Sequence, residues 1–415
     1  MLLLAAIFAG WVFYAMILPS VQIRHRIVTS RWKIDPRDPE ISFGVWFARR
    51  TLEYWLVWWF FYLGASIGSF INVVASRTPQ GKTIVTRGSH CPYCDRALSL
   101  IDNSPVFGWL MLRGRCRGCR LPISPRYLVM EILVGLVFVL IAAIELLANG
   151  LNLPYREWRI GTGIVWTVFF PKWDLIGALV LHLSLFSVAI MLIGTQSERL
   201  KFPKIPLLVI LGIYVAGFIS NRFVARVRWT EPWGERFPSY SNLSPLADSS
   251  LAIEHALTSG IGLIAGAILG GITGLLLCRI YWPIPHENSR PHENSRPAEN
   301  SRPAENSRPD ENSNPAGDCF PDSNPAQEQQ GRGAFLWHWS ILHALAGALL
   351  GWQAIALTSL VASLFAMLAC GLLARSKKDC RTHFRGQVIA LGIWTCTLLV
   401  HHCGWRWFAM AWYGF

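Results

Sequence analysis

The sequence predicts an all-α polytopic membrane protein of about nine transmembrane helices, with a small cytoplasmic zinc-ribbon-like domain and a disordered repeat insert. Three observations lead there. Of 415 residues, 52% are hydrophobic and only 15% charged, against about 25% charged in an ordinary soluble domain. Apolar runs of 17 or more residues recur along the chain, each able to cross a hydrocarbon layer roughly 30 Å thick as a helix. Four cysteines stand in two close pairs, Cys91-x2-Cys94 and Cys116-x2-Cys119. The runs are continuous rather than alternating, which excludes a transmembrane β-barrel.

The candidate membrane helices cover 2–19, 52–74, 127–148, 173–194, 205–220, 255–279, 335–352, 354–374 and 388–405. Water is absent from the bilayer core, so each segment must satisfy its own backbone, and a helix does so. The first run, MLLLAAIFAGWVFYAMILPS, lacks a basic leading region and a small-residue cleavage site. It is expected to stay as a helix rather than be removed as a signal.

Charge orients these segments. The net charge is +13, but residues 284–333 hold five Arg/Lys against nine Asp/Glu, leaving 33 basic and 16 acidic residues elsewhere. Residues 77–126 carry nine Arg/Lys and are expected on the cytoplasmic side, with loops 195–204 and 375–387 beside them. The basic stretch 20–51 breaks the pattern. Either it is an exception, or the first helix lies in the membrane interface. The basic residues flank apolar helices, which points to lipid rather than nucleic acid as their partner.

Residues 286–315 form a hexad array, HENSRP, HENSRP, AENSRP, AENSRP, DENSNP. Proline at every sixth position blocks helix and central strand, and the near absence of apolar side chains predicts disorder.

The paired Cys-x2-Cys spacing places four thiolates around one ion, the ligand set of a closed structural zinc site. Arg96, Arg113, Arg115, Arg117 and Arg120 surround the pairs and are expected to favour the thiolates. The alternative is two disulfides, which a basic, inward-facing loop opposes. Histidines His182, His255, His338, His343, His401 and His402 are spread over four helices with no evident carboxylate nearby. Interhelical hydrogen bonding or interfacial placement is their expected role. Trp405, Trp407 and Trp412 are expected in an interfacial belt, and the small residues of 260–271 and 344–351 in close helix contacts.

From Gly64 to Gly135 the chain resembles the amino-terminal part of the prepilin peptidases, membrane enzymes that cut and often N-methylate type IV pilin-like precursors. The strings that carry the likeness are GASIGSFINVVASRTPQG, CPYC, DNSPVFGWLMLRGRCRGC and PISPRYLVMEILVG. They include Asn72, Arg77, Asp102, Trp109, Gly114 and Glu131 beside the four cysteines. FPKIPLLVILG, LTSGIGLIAGAILGGITGLLL and GALLGWQAIALTSLVASLFAMLACGLLA resemble the peptidase membrane domain more weakly. The resemblance divides the chain into an N-terminal helix and basic loop (1–51) and a family-type domain with the four cysteines (52–135). Membrane helices (127–280), the insert (281–334) and C-terminal membrane helices (335–415) follow.

The resemblance implies an aspartic endopeptidase of the bacterial inner membrane. Prepilin or pseudopilin precursors would be its substrates, and S-adenosylmethionine the methyl donor where methylation occurs. Two aspartates would share a proton and activate water. Counting from the family segments puts the first at Ile193 or Gln196 and the second at His338-Trp339, and none of these is an acid. Glu198 is the one carboxylate near the first position, a weak candidate; Gly317-Asp318 lies within the insert. Cleavage is therefore expected to be absent or severely reduced. The alternative to an impaired enzyme is a non-catalytic assembly component of a pilus or type II secretion system. Deleting 286–315 should leave the folded fraction recovered in detergent nearly unchanged, because the array has no apolar face to pack; a large drop would refute that reading.

Overall fold

Helices occupy the apolar segments. The computed structural model describes residues 2–18, 43–77, 88–148 (except 92), 150–153, 173–196, 249–281, 325–350, 352–374 and 380–404, together with residues 20, 82, 84, 212 and 407. They form α1 (Leu2–Val12, continued by a π-helical turn Phe13–Ile17), α2 (Phe43–Arg77), α3 (Phe107–Met111) and α4 (Pro125–Ala142, continued by a π-helical turn Ala143–Leu147). After them come α5 (Trp173–Gln196), α6 (Ser249–Tyr281), α7 (Pro325–Leu350), α8 (Trp352–Ala374) and α9 (Cys380–Cys403). The described residues contain no strand, only two isolated bridges near the cysteines.

Four helical segments are long and apolar enough to cross a membrane: Phe47–Arg77, Pro125–Leu147, Leu175–Gly194 and Ser259–Arg279. Four shorter apolar helices accompany them, Ala5–Ile17, Phe335–Leu350, Ala354–Ala369 and Val388–Cys403. The expected helix at 205–220 and the hexad array lie outside the described residues. Four helices, α2, α6, α7 and α9, start six or more residues earlier than the apolar runs indicate. In α2 the Glu53 carboxylate lies 3.0 Å from both Arg49 and Arg50 and offsets one of their two charges. Helix α7 begins at Pro325, inside the span assigned to the insert, with proline at the end where its missing N–H costs nothing.

Helix α1 runs antiparallel to the start of α2. Tyr54 donates to the Ile7 carbonyl at 2.6 Å, Trp11 to Thr51 at 3.3 Å, and Tyr14 to Glu53 at 3.0 Å. Helix α5 sits at the centre. Leu175, Leu179, Leu185, Phe186, Val188, Ala189 and Leu192 are all buried, so it is apolar on every side, as a core helix must be.

Glycines set the two closest helix pairs. A Cβ on Gly64 of α2 would lie 2.7 Å from Phe138 and 2.9 Å from the Gly135 backbone of α4. On α6, Gly262, Gly266 and Gly270 face α7, where added carbons would meet the Gly347 carbonyl, the His343 carbonyl and Ser340. Small residues four apart let backbones touch, which is how apolar helices gain contact in lipid. Gly266→Leu should therefore destabilise the detergent-solubilised fold by about 3 kcal/mol or more. Gly271→Leu, where nothing lies within 4 Å, should not, as a thermal unfolding comparison will show.

Candidate functional site

The four cysteines meet as the spacing predicts, and local geometry explains how. Each pair sits on a turn of the same design. The Cys91 amide donates to Arg96 (3.0 Å) and the Asp95 amide back to Cys91 (3.0 Å). The Cys116 amide donates to Leu121 (2.9 Å) and the Arg120 amide back to Cys116 (3.1 Å). The bridges His90↔Ala97 and Arg115↔Pro122 occupy equivalent places. Asp95 (φ 54°) and Arg120 (φ 62°), each just after the second cysteine, take the left-handed conformation that closes the turn.

Two knuckles of one shape then face each other. Cys91 Sγ lies 3.7 Å from Cys119 Sγ and Cys94 Sγ 3.9 Å from Cys116 Sγ. All four sulfurs fall within 4.8 Å of one another. Four sulfurs about 2.3 Å from a central zinc stand about 3.8 Å apart. A disulfide needs about 2.05 Å, so these cysteines are free thiols, and the donor set fits zinc.

Backbone amides act on two of the ligands. The Cys119 and Gly118 amides point at Cys116 Sγ, Gly118 from 3.4 Å, and hold that thiol down at about 6. At Cys119 the Leu121 amide favours the thiolate, but burial and the neighbouring thiols outweigh it and push the group to about 11. Arg117 turns away to Asp102, with contacts of 2.7 and 3.1 Å.

The motif residues around the knuckles tie them to the membrane helices. Glu131 of α4 is buried; its Oε2 accepts the Val106 amide at 2.7 Å, where α3 begins, and its carboxylate also takes a hydrogen bond from Ser69 of α2. Asn72 donates to the Tyr127 carbonyl at 3.2 Å. Trp109 donates to the Ile123 carbonyl at 3.3 Å and lies over Gly114 (φ 69°), where a Cβ would come within 2.7 Å of the indole. Ser124 caps α4, accepting from the Arg126 amide at 3.4 Å, and Pro125 follows it.

The two positions singled out by counting from the sequence resemblance lie in different surroundings. Gln196 ends α5, and its side chain lies outside the described residues, as does Glu198. Trp339 is fully buried in the middle of α7. Its indole donates to Thr273 of α6 at 2.9 Å and stacks on Phe335 at 5.6 Å. The ring centroid of His343 lies 4.8 Å away and that of Trp394, on α9, 6.4 Å away. This is a packed aromatic junction of three helices.

His182 and His402 make the interhelical hydrogen bonds expected of them, but through a carboxylate that the sequence did not suggest: Glu145 Oε1 lies 2.6 Å from His182 Nδ1 and 2.8 Å from His402 Nε2. The separations of 37 and 257 residues hide the group from any local motif. An acid deep in the apolar run 127–148, which holds only Glu131 and Glu145, was the available signal, since ionisable groups in membranes are rarely idle. His343 instead donates to the Trp339 carbonyl at 2.8 Å, and the side chain of His255 lies outside the described residues.

Residues 62–144 match the family described as the Bacterial Peptidase A24 N-terminal domain. A Myxococcus xanthus prepilin leader peptidase/N-methyltransferase is 50% identical over 78 residues, covering 19% of this chain and 23% of that protein. The Klebsiella pneumoniae prepilin leader peptidase/N-methyltransferase is 32% identical over 199 residues, 39% of this chain and 87% of that one. An Escherichia coli type 4 prepilin-like proteins leader peptide-processing enzyme is 40% identical over 95 residues, 19% and 35% of the two chains. The chain thus spans most of the Klebsiella relative but about a quarter and a third of the other two. No solved structure matches. If the knuckles hold zinc, Cys91→Ser and Cys116→Ser should each cost one equivalent of bound zinc by elemental analysis; equal zinc in all three proteins would refute the assignment.

Proposed function

Because the chain belongs to the bacterial prepilin leader peptidase family, we propose that it engages pilin or pseudopilin precursors in the inner membrane but does not remove their leaders by the two-aspartate reaction. The family's processing activity supplies the substrate class. The single observation behind the lost reaction is Trp339, a buried indole where the family pattern calls for an acid. Hydrolysis needs one carboxylate ionised to activate water and another protonated to donate to the carbonyl. An indole can take neither role, and Glu198 alone could supply only one of the two.

The remaining assignments follow from chemistry and charge. Cys91, Cys94, Cys116 and Cys119 hold a structural zinc, which stiffens the domain and leaves no open position for substrate water. The nine Arg/Lys of residues 77–126 place that domain on the cytoplasmic side, the repeat insert lies on the same side, and the full chain crosses the membrane about nine times. S-adenosylmethionine is the methyl donor if methylation survives, with no residue assigned to it. The chain then works as an assembly component that recognises precursors rather than as a protease.

Restoring the acids is a poor test, because Trp339→Asp would remove a fully buried indole, a change costing about 3–5 kcal/mol in other cores. Co-expression with a pilin precursor avoids that difficulty. The precursor should co-purify with the detergent-solubilised protein, and its mass should show the leader still attached. Removal of the leader in a host without another such peptidase would overturn the proposal.

A further inference from the structure

The geometry points to a second metal site, distinct from the cysteines: we propose that Glu145, His182 and His402 bind one zinc-class divalent ion inside the helix bundle. The three come from separate elements, the π-helical turn after α4, the first half of α5 and the end of α9. Glu145 is 0% exposed, His402 1% and His182 5%. Their ligating atoms fall within 4.8 Å of one another, and the two imidazole centroids are 4.4 Å apart at 63°.

The hydrogen bonding among these groups is in conflict without a cation. Asn152 Nδ2 donates to the His402 carbonyl at 3.2 Å, and the same nitrogen lies 3.2 Å from His402 Nε2. That ring nitrogen is also 2.8 Å from Glu145 Oε1. It cannot accept from the amide and donate to the carboxylate at once. As an acceptor, it turns a lone pair on a carboxylate oxygen. As a donor, it meets an N–H of Asn152. An ion between Nε2 and Oε1 takes both lone pairs, and the amide keeps the His402 carbonyl as its acceptor. A proton on His182 would offset the carboxylate charge, but the conflict at His402 would remain.

Two further observations agree. Glu145 Oε2 is buried with no hydrogen-bond partner among the described residues, leaving a carboxylate in an apolar interior short of the bonds such a group requires. Glu145 also sits in a widened turn, closed by five-residue bonds from Ala148 to the Ala143 carbonyl and from Gly150 to the Glu145 carbonyl, both 2.8 Å. Turns of that kind gather at functional sites. Two imidazoles and one carboxylate form a three-ligand zinc set with an open fourth position, where an anionic ligand can balance the remaining charge. Zinc–ligand bonds of about 2.0–2.1 Å set the donors about 3.3 Å apart, so the present contacts need to open by roughly half an ångström. Glu145 lies 20 residues beyond Pro125 along α4, about 30 Å at the helical rise, so this site is at the opposite end of that helix from the cysteines.

Cobalt titration of the full-length protein tests the proposal. The protein carries a tag without histidine and is stripped with chelator in detergent. The Cys91→Ser/Cys116→Ser variant should still bind one equivalent of Co2+, with visible ligand-field absorption and no thiolate charge-transfer band. Adding Glu145→Gln or His182→Gln to that variant should weaken this binding roughly 100-fold or more. In the otherwise unaltered chain the same changes should leave the thiolate band intact. If the cysteine variant binds no cobalt, or binds it equally with Glu145 or His182 replaced, the second site does not exist. The first of these outcomes does not depend on how the Glu145 or His182 variants fold. Neither outcome touches the proposed handling of precursors.

Discussion

A carboxylate buried among apolar helices must be given hydrogen bonds or opposite charge, and that constraint organises this molecule. Three glutamates are buried among the described residues: Glu53, Glu131 and Glu145. Glu53 gathers Arg49, Arg50 and Tyr14 and so fixes α1 against the start of α2. Glu131 takes the Val106 amide and the Ser69 hydroxyl, joining α4 and α2 to the loop that begins α3. Glu145 draws α5 and α9 onto the end of α4 through His182 and His402. Each acid binds elements far apart in sequence, and no two of them pair as a proton-sharing couple.

The proposed function turns on where those acids are placed. The residues shared with the leader peptidases mostly serve construction. Trp109 and Gly114 shape the loop between the knuckles, Asn72 and Ser124 secure the entry to α4, and Glu131 fastens the knuckles to the bilayer segments. A precursor-recognising scaffold can keep all of this without hydrolytic chemistry. Around Trp339, aromatic packing with Phe335, His343 and Trp394 contributes cohesion between helices.

Local features were legible in the sequence and distant ones were not. The cysteine site could be read because four ligands within 29 positions use two repeats of one turn, and the apolar runs announced the helices. Helix starts were harder to place. The stretch FGVWFARRTLEYW is interrupted by Arg49 and Arg50, yet Glu53 pairs with both at three- and four-residue spacing along α2. Trp339 could be seen to lack an acid, but its burial depends on Thr273 and Trp394, 66 and 55 positions away. The cluster around Glu145 is the extreme case, since its ligands are distant in sequence and united only by the packing of three elements.

The loss of the two-acid reaction is tested most directly by the pH dependence of leader removal. The purified protein and a pilin precursor, reconstituted together in lipid vesicles, would be followed by intact mass from about pH 5 to about pH 9. Two coupled acids give a bell-shaped rate profile. The expected result is a rate indistinguishable from vesicles without the protein at every pH. A bell-shaped rise in cleaved precursor would contradict it and would mean that two carboxylates still meet at the membrane surface.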